Sequence, residues 1–314
     1  MPGEAVGVGR KSSDSDGGLE ENKGADSYVL ASMKFLQWQS LYEVEKPFQI
    51  FINIPDHVED KRTTNLVFED NQLKVKDVRA SATNFSLDQH GFIYRNHETA
   101  LRDFTNRKHV EESYLPEVES LLRQEADGVD EVFFFDWRLR KNAPEVEGAV
   151  IDLNNLTEWL RPAMHVHVDQ SPAAVLNRIQ LQLCKDADRL LRGRVRVLNV
   201  WRPLIDCVED WPLAVCDGTT VEASDLVEAD HVRRQYTGST LYVRFNPRQE
   251  FYHMSKQRRN EVLIFKNFDS DPTKPASFAP HASFRHPHTP GIFIPRQSIE
   301  VRALVFTKAA LEIS

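Results

Sequence analysis

A mainly β chain of the α+β class, arranged as a sandwich, barrel or jelly roll with flanking helices, is what the sequence predicts. Three observations carry that expectation. From Met164 onward, short β-branched and aromatic runs alternate with turn residues. Helical spacing of apolar residues is sustained in only two stretches, 114–125 and 172–191. Hydrophobic residues make up 41% and charged residues 27% of 314 positions, which is the composition of a folded chain long enough for one large core.

Taken in order, residues 1–27 are rich in Gly, Ser, Glu and Lys and nearly devoid of large side chains. They cannot bury enough surface to offset ordering entropy, so a disordered tail is expected. Strand-like patterns follow at 48–54, 64–68 and 72–78. In the 114–125 stretch Pro116 suits a first helical turn, Val118, Leu121 and Leu122 share a face, and Gly128 can end the helix. Three consecutive aromatics, Phe133, Phe134 and Phe135, mark 131–137 as a strand covered on both faces and placed centrally. Ser171 and Pro172 then read as an N-cap and first helical residue. Val175, Ile179, Leu183, Leu190 and Leu191 recur at helical spacing, and Gly193 closes the stretch. Further strands are expected at 195–201, 241–246, 251–255, 261–268 and 299–306. The expected division is a single domain over 28–314, with a β-containing N-terminal extension or lid over 28–150 and a core over 151–314.

Charge and cysteine content narrow the function classes. Lys plus Arg number 39 against 47 Asp plus Glu, a net charge of −8, so no global positive field exists to hold nucleic acid or an anionic membrane. Cys184, Cys207 and Cys216 are too few and too irregularly spaced for a disulfide framework. A reducing, cytoplasmic setting follows as the expectation, with no leader or membrane span among apolar runs this short. The expected partner is a small molecule; a homodimer is left open.

Chemistry concentrates in two places. His165, His167 and Asp169 alternate just before the helix cap, and residues two apart in a strand share a face. His-x-Asp is therefore a metal pincer, unless it is merely a surface strand. Two histidines and one carboxylate leave positions open on iron for a cosubstrate and oxygen. A further histidine, His281, lies 112 residues beyond Asp169, far enough for intervening strands to bring it back. His286 and His288 compete with it, but Pro287 and Pro290 oppose a regular strand there. Arg296, Ser298, Glu300 and Arg302 also alternate, so a guanidinium and a hydroxyl can together seat a carboxylate; ion pairing of these arginines with Glu300 on a solvated strand is the plain alternative. Trp137 and Trp201 are candidates for an apolar substrate pocket, or for core, and Tyr252 for a hydrogen bond to a cosubstrate.

Five ordered motifs resemble the fungal natural-product hydroxylase/desaturase family of gibberellin-desaturase type: His167-Val168-Asp169, Asn199-Val200-Trp201-Arg202-Pro203-Leu204, Glu261 to Lys266 with Asp269-Ser270, His281-Ala282-Ser283-Phe284, and Arg296 through Arg302. The resemblance implies a double-stranded β-helix, the cupin-like jelly roll, and an oxygenase that uses Fe(II), 2-oxoglutarate and O2 to hydroxylate or desaturate a small secondary metabolite. It implies His167, Asp169 and His281 as iron ligands and Arg296 with Ser298 as the clamp for the distal carboxylate of 2-oxoglutarate. Arg302 is implied as a helper, and Arg202 as a neighbour of the cosubstrate or of an acidic group on the substrate. His165 is left as a pocket residue. Two rivals stand beside this reading: a catalytically silent jelly-roll partner protein, and a zinc or cupin-type site on His165, His167 and His281, which lacks the glutamate such a site needs because Ser171 and Pro172 occupy that region.

Overall fold

Alternation along residues 297–307 decides the architecture. Ile299, Val301, Ala303 and Val305 enter one buried apolar cluster, whereas Leu304 and Phe306 enter another and Ser298, Glu300 and Arg302 share their side. Both faces of this strand are therefore covered, and its polar side chains are gathered on one of them. The computed structural model describes residues 27–144, 152, 154–233 and 237–309; the tail expected over 1–27 lies outside them but for Ser27.

The strands are β1 (Tyr28–Leu36), β2 (Phe48–Ile50), β3 (Phe68–Asp77), β4 (Phe92–Asn96), β5 (Glu131–Lys141), β6 (Trp159–Leu160), β7 (His167–Val168) and β8 (Arg194–Pro203). They continue as β9 (Leu213–Cys216), β10 (Leu226–Val232), β11 (Thr237–Val243), β12 (Phe251–His253), β13 (Glu261–Asp269), β14 (His281–Ser283) and β15 (Gln297–Thr307). Helices are α1 (Leu87–His90), α2 (Arg107–His109), a π turn over Val110–Tyr114 leading into α3 (Leu115–Glu125), α4 (Pro172–Gln182) and α5 (Ala187–Leu190).

Two sheets result. The larger runs β1-β3-β12-β9-β14-β7-β11-β10-β2 and the smaller β4-β13-β8-β15-β5-β6. The larger sheet curls until Lys34 of β1 bridges His165, just ahead of β7, so Met33, Phe35, Phe251 and Phe284 close an apolar cluster inside the curl. Between the sheets, Trp201, Leu263 and Phe265 pack on Leu213, Val215 and Tyr252. The outer face of the smaller sheet is covered by α3 through Val118, Leu121 and Leu122.

The expected elements are largely present, with physical reasons for the departures. Phe133 and Phe135 pack on one side of β5 and Phe134 on the other, so both faces are covered, but β5 is not central: only the two-residue β6 lies beyond it. The 172–191 helix breaks into α4 and α5 around Leu183, while Ser171 does cap α4 by accepting from the Ala174 amide at 3.2 Å. Gly193 is required for closeness rather than as a helix stop: a Cβ there would lie 1.8 Å from the Thr307 carbonyl oxygen. The 64–68 strand shrinks to one bridge, Gln49 with Thr64, and β1 has no counterpart among the expectations. The three cysteines are free, and among the described residues no helix is long and apolar enough to cross a membrane.

Candidate functional site

His167 and His281 are direct register partners on β7 and β14, which brings two imidazoles from distant sequence to the same face of the larger sheet. Their ring centroids are 4.4 Å apart. Asp169, just past β7, completes a group in which one ligand atom from each residue lies within 4.8 Å of the others. His167 Nε2 stands 3.5 Å from Asp169 Oδ1. His167 Nδ1 donates to the His165 carbonyl at 2.8 Å and His281 Nδ1 to the Ala279 carbonyl at 3.3 Å. A carbonyl can only accept, so each ring carries a proton on Nδ1 and leaves Nε2 as the atom it offers to the cluster. His281 Nε2 is buried without any partner. Burial, reinforced by the neighbouring His167, pushes the His281 pKa down to about 3, so it is a neutral donor at neutral pH.

Asp169 is held from the smaller sheet. Arg302 grips it with Nε on Oδ2 at 3.0 Å and Nη2 on Oδ1 at 2.8 Å, and Asn199 Nδ2 donates to Oδ2 at 2.6 Å. The Asp169 amide donates to Asn267 Oδ1, and the Thr240 hydroxyl donates to the Asp169 carbonyl. Burial alone would raise the carboxyl pKa; the Arg302 charge overrides it and holds the group well below its usual range. Arg302 also pairs with Glu300 at 2.7 Å and Asp136 at 2.9 Å.

Arg296 is wholly buried and differently partnered. Its guanidinium donates to Ser298 Oγ from Nε at 3.2 Å and Nη2 at 3.0 Å, and Nη1 donates to the Trp211 carbonyl at 3.1 Å and to Ser283 Oγ. It lies over the Trp201 ring at 5.1 Å. Every one of these acceptors is neutral. Burial, with Arg140 nearby, pulls the Arg296 pKa down to about 9, against the opposing charges of Glu300 and Asp210.

A cavity of about 250 Å³ opens onto His165, His167 and Asp169 and is lined by Arg138, Arg140 and Arg302 among others. Neither His281 nor the Arg296–Ser298 pair lines it; all three are buried. His165 lines it while stacking on Phe68 at 3.9 Å, and it stands outside the three-residue cluster, which removes the all-histidine alternative. Other expectations are corrected. Arg202 projects from β8 on the face opposite Trp201 and is tied to Tyr114 Oη at 2.9 Å and to the carbonyls of His97 and Arg259, so it is a structural tie remote from the cavity. Tyr252 donates to Glu250 at 2.8 Å and packs on Phe85 and Phe92. Trp137 is buried in the cluster under α3, and Trp201 serves as the platform for Arg296; neither lines the cavity. His286 and His288 lie outside the strands, away from the cluster. Arg138 and Arg140 on β5, with Asn199 and Asn267, escaped sequence reasoning. The alternation Asp136, Arg138, Arg140 was legible, yet the adjacent phenylalanine run drew the reading toward a plain core strand.

The family described as "Oxidoreductase/YMDC permease-like domain" matches residues 33–306. The Fe(II)/2-oxoglutarate-dependent dioxygenase nvfI of Aspergillus novofumigatus is 34% identical over 251 residues, covering 77% of this chain and 85% of that one. The hydroxylase/desaturase efuI of Hormonema carpetanum is 31% identical over 259 residues, 78% and 86% of the two chains. The solved structure of the iron and alpha-ketoglutarate-dependent endoperoxidase NvfI superposes with a TM-score of 0.76 at 30% identity, covering 90% of this chain and 99% of that one. A chain with this likeness over most of its length, and with a His–Asp–His cluster at the inter-sheet face, belongs to the Fe(II)/2-oxoglutarate-dependent dioxygenases and hydroxylase/desaturases of fungal secondary metabolism.

Proposed function

We propose that His167, Asp169 and His281 hold the ferrous ion of this 2-oxoglutarate-dependent dioxygenase and that Arg296 with Ser298 seats the far carboxylate of 2-oxoglutarate. The carrying observation is His281 Nε2: a buried acceptor with no partner, in a cluster with a second imidazole and a carboxylate. Two imidazoles and one carboxylate suit a divalent metal that must keep positions open. The buried, anion-deficient Arg296 supports the second assignment.

The bound ion supplies oxidation of a substrate C–H group coupled to conversion of 2-oxoglutarate and O2 into succinate and CO2. The chain's own residues prepare that chemistry. The Nδ1 hydrogen bonds fix both imidazoles as Nε2 donors. Arg302 and Asn199 keep the Asp169 carboxylate ionised and oriented. Arg296 binds its anion in a dry wall, where a charge-assisted bond is strongest.

The same reading takes the two facing sheets as a double-stranded β-helix, with residues 28–314 forming one oxygenase domain. Its substrate is a small secondary metabolite that is hydroxylated or desaturated in the cytoplasm, without nucleic acid or membrane. Anaerobic addition of Fe(II) and 2-oxoglutarate should raise a weak visible charge-transfer band that His167→Ala and Asp169→Ala abolish. A wild-type protein with verified iron and no such band contradicts the assignment.

A further inference from the structure

The chain as a whole is acidic, at −8, yet the cavity beside His167 and Asp169 is cationic. Five arginines line it, Arg138, Arg140, Arg178, Arg233 and Arg302, against Asp136 and Asp169 alone among acidic residues. They divide into two ends. Arg302 is consumed by Asp169, Glu300 and Asp136. Arg140 sits opposite Ser298 in the β5–β15 register and its charge reaches Arg296, so it belongs to the end assigned to 2-oxoglutarate.

Arg233 and Arg178 mark the other end. Arg233 is exposed, with its guanidinium 5.4 Å from the Phe51 ring centroid, and it has no acidic side chain within ion-pair distance among the described residues. Burial and the charges of Arg138, Arg302 and Arg178 weigh against its cation, and Asp136 favours it. Arg178 lies over Phe135 at 4.4 Å. Two guanidinium groups thus stand against aromatic rings that themselves line the cavity. 2-Oxoglutarate has two carboxylates, and the metal and Arg296 use both, so this second cationic end has no occupant in the cosubstrate.

We propose that the organic substrate is a carboxylic acid on an apolar skeleton, its carboxylate seated by Arg233 at the cavity mouth beside Arg178, its skeleton lying along Phe51, Phe135 and Tyr242 toward the metal cluster. A planar guanidinium fork matches a carboxylate, and rings on which it is laid restrict where the fork points. The acid group would then serve as a positioning anchor that fixes which C–H bond faces the cluster. Arg233 is a positioning residue: it touches the substrate far from the reacting carbon. The inference rests on the oxygenase reading for the identity of the second occupant, 2-oxoglutarate.

The test uses the full chain and a panel of terpenoid and polyketide carboxylic acids, each paired with its methyl ester. Binding is read by calorimetry without oxygen, on the metal-free protein and again with Fe(II) and 2-oxoglutarate. At least one acid should bind about tenfold or more tighter than its ester. Arg233→Met should remove that advantage, Arg233→Lys should restore part of it, and neither should move 2-oxoglutarate affinity by more than about twofold. In turnover, Arg233→Met should raise KM for the acid and scatter the oxidation site on the product. A panel in which no acid outbinds its ester overturns the proposal, as does an Arg233→Met variant whose main loss is 2-oxoglutarate binding. Failure of the metal-free protein to take up iron sinks the oxygenase reading instead, and the acid-against-ester comparison in that protein still stands.

Discussion

Arg302 lies on β15 and Arg296 six residues earlier, just ahead of its first residue, and their surroundings are opposite. Arg302 faces three carboxylates, Asp169, Glu300 and Asp136, which raise its pKa further although burial works against it. Arg296 meets two serine hydroxyls and a carbonyl, and burial lowers its pKa to about 9. A buried guanidinium that is fully paired is part of the framework. One left with neutral partners is a receptor, because its desolvation is only offset when an anion arrives. On the proposed reading, Arg302 props a ligand carboxylate from inside the fold, and the place around Arg296 takes a carboxylate from outside.

Removing the propped carboxylate should have the largest effect. Asp169→Ala takes away a proposed metal ligand and frees Arg302, so activity should fall by about 10³-fold or more and the Fe(II)–2-oxoglutarate band should vanish. Arg302→Met strands Asp169 and its two companions in a buried place. Loss of one member of a buried pair costs about 3–5 kcal/mol, and an outer-shell change costs roughly 10–100-fold in metal affinity. Urea unfolding of the metal-free variant and iron titration read these two losses.

The sign of the pH dependence follows from the direction of the shift. Asp169 has a depressed pKa, so its pairing with Arg302 stabilises the fold above the ordinary carboxyl value of 3.8 and is lost as pH falls below it. The stability gap between wild type and Arg302→Met should be widest near neutrality and shrink in acid. Coincident unfolding midpoints at pH 7 would mean Arg302 is not the prop described.

Arg296→Leu should separate the two arginines most cleanly. KM for 2-oxoglutarate should rise about 10- to 100-fold while iron affinity stays, and the metal-free protein should unfold no earlier than wild type, since an unpaired buried cation has been removed. Equal losses of iron and cosubstrate would erase the contrast. The smallest effect belongs to Tyr252→Phe: about 1 kcal/mol or less of stability, from one hydrogen bond to a half-exposed Glu250, with no change in KM for 2-oxoglutarate.

Legible in the sequence are those residues whose local spacing survives folding. His167 and Asp169 alternate on one face because two-residue periodicity survives folding, and Ser171–Pro172 is a helix start in any context. Trp137 and Arg202 depart from expectation because residue type names a chemistry without naming the side of the strand it serves, whereas Tyr252 is on the inter-sheet side but its hydroxyl is taken by Glu250. One step along β8 or β5 moves a side chain from the inter-sheet face to the helix-covered one. β1 was missed because Ala31, Ser32 and Met33 are weak strand formers that pair with β3 by tertiary demand. The arginines of β5 were hidden by the three phenylalanines ahead of them.

The brevity of β7 and β14 has a consequence for folding. They hold two and three residues, and their single register pair is His281 with His167. A slip by one position on either would turn an imidazole to the far side and leave the lone pairs unable to meet. An ion captured by both rings would therefore act as a proofreader of the chain's own alignment, clasping the weakest seam of the larger sheet. Amides along that seam should exchange with solvent more slowly once it is in place.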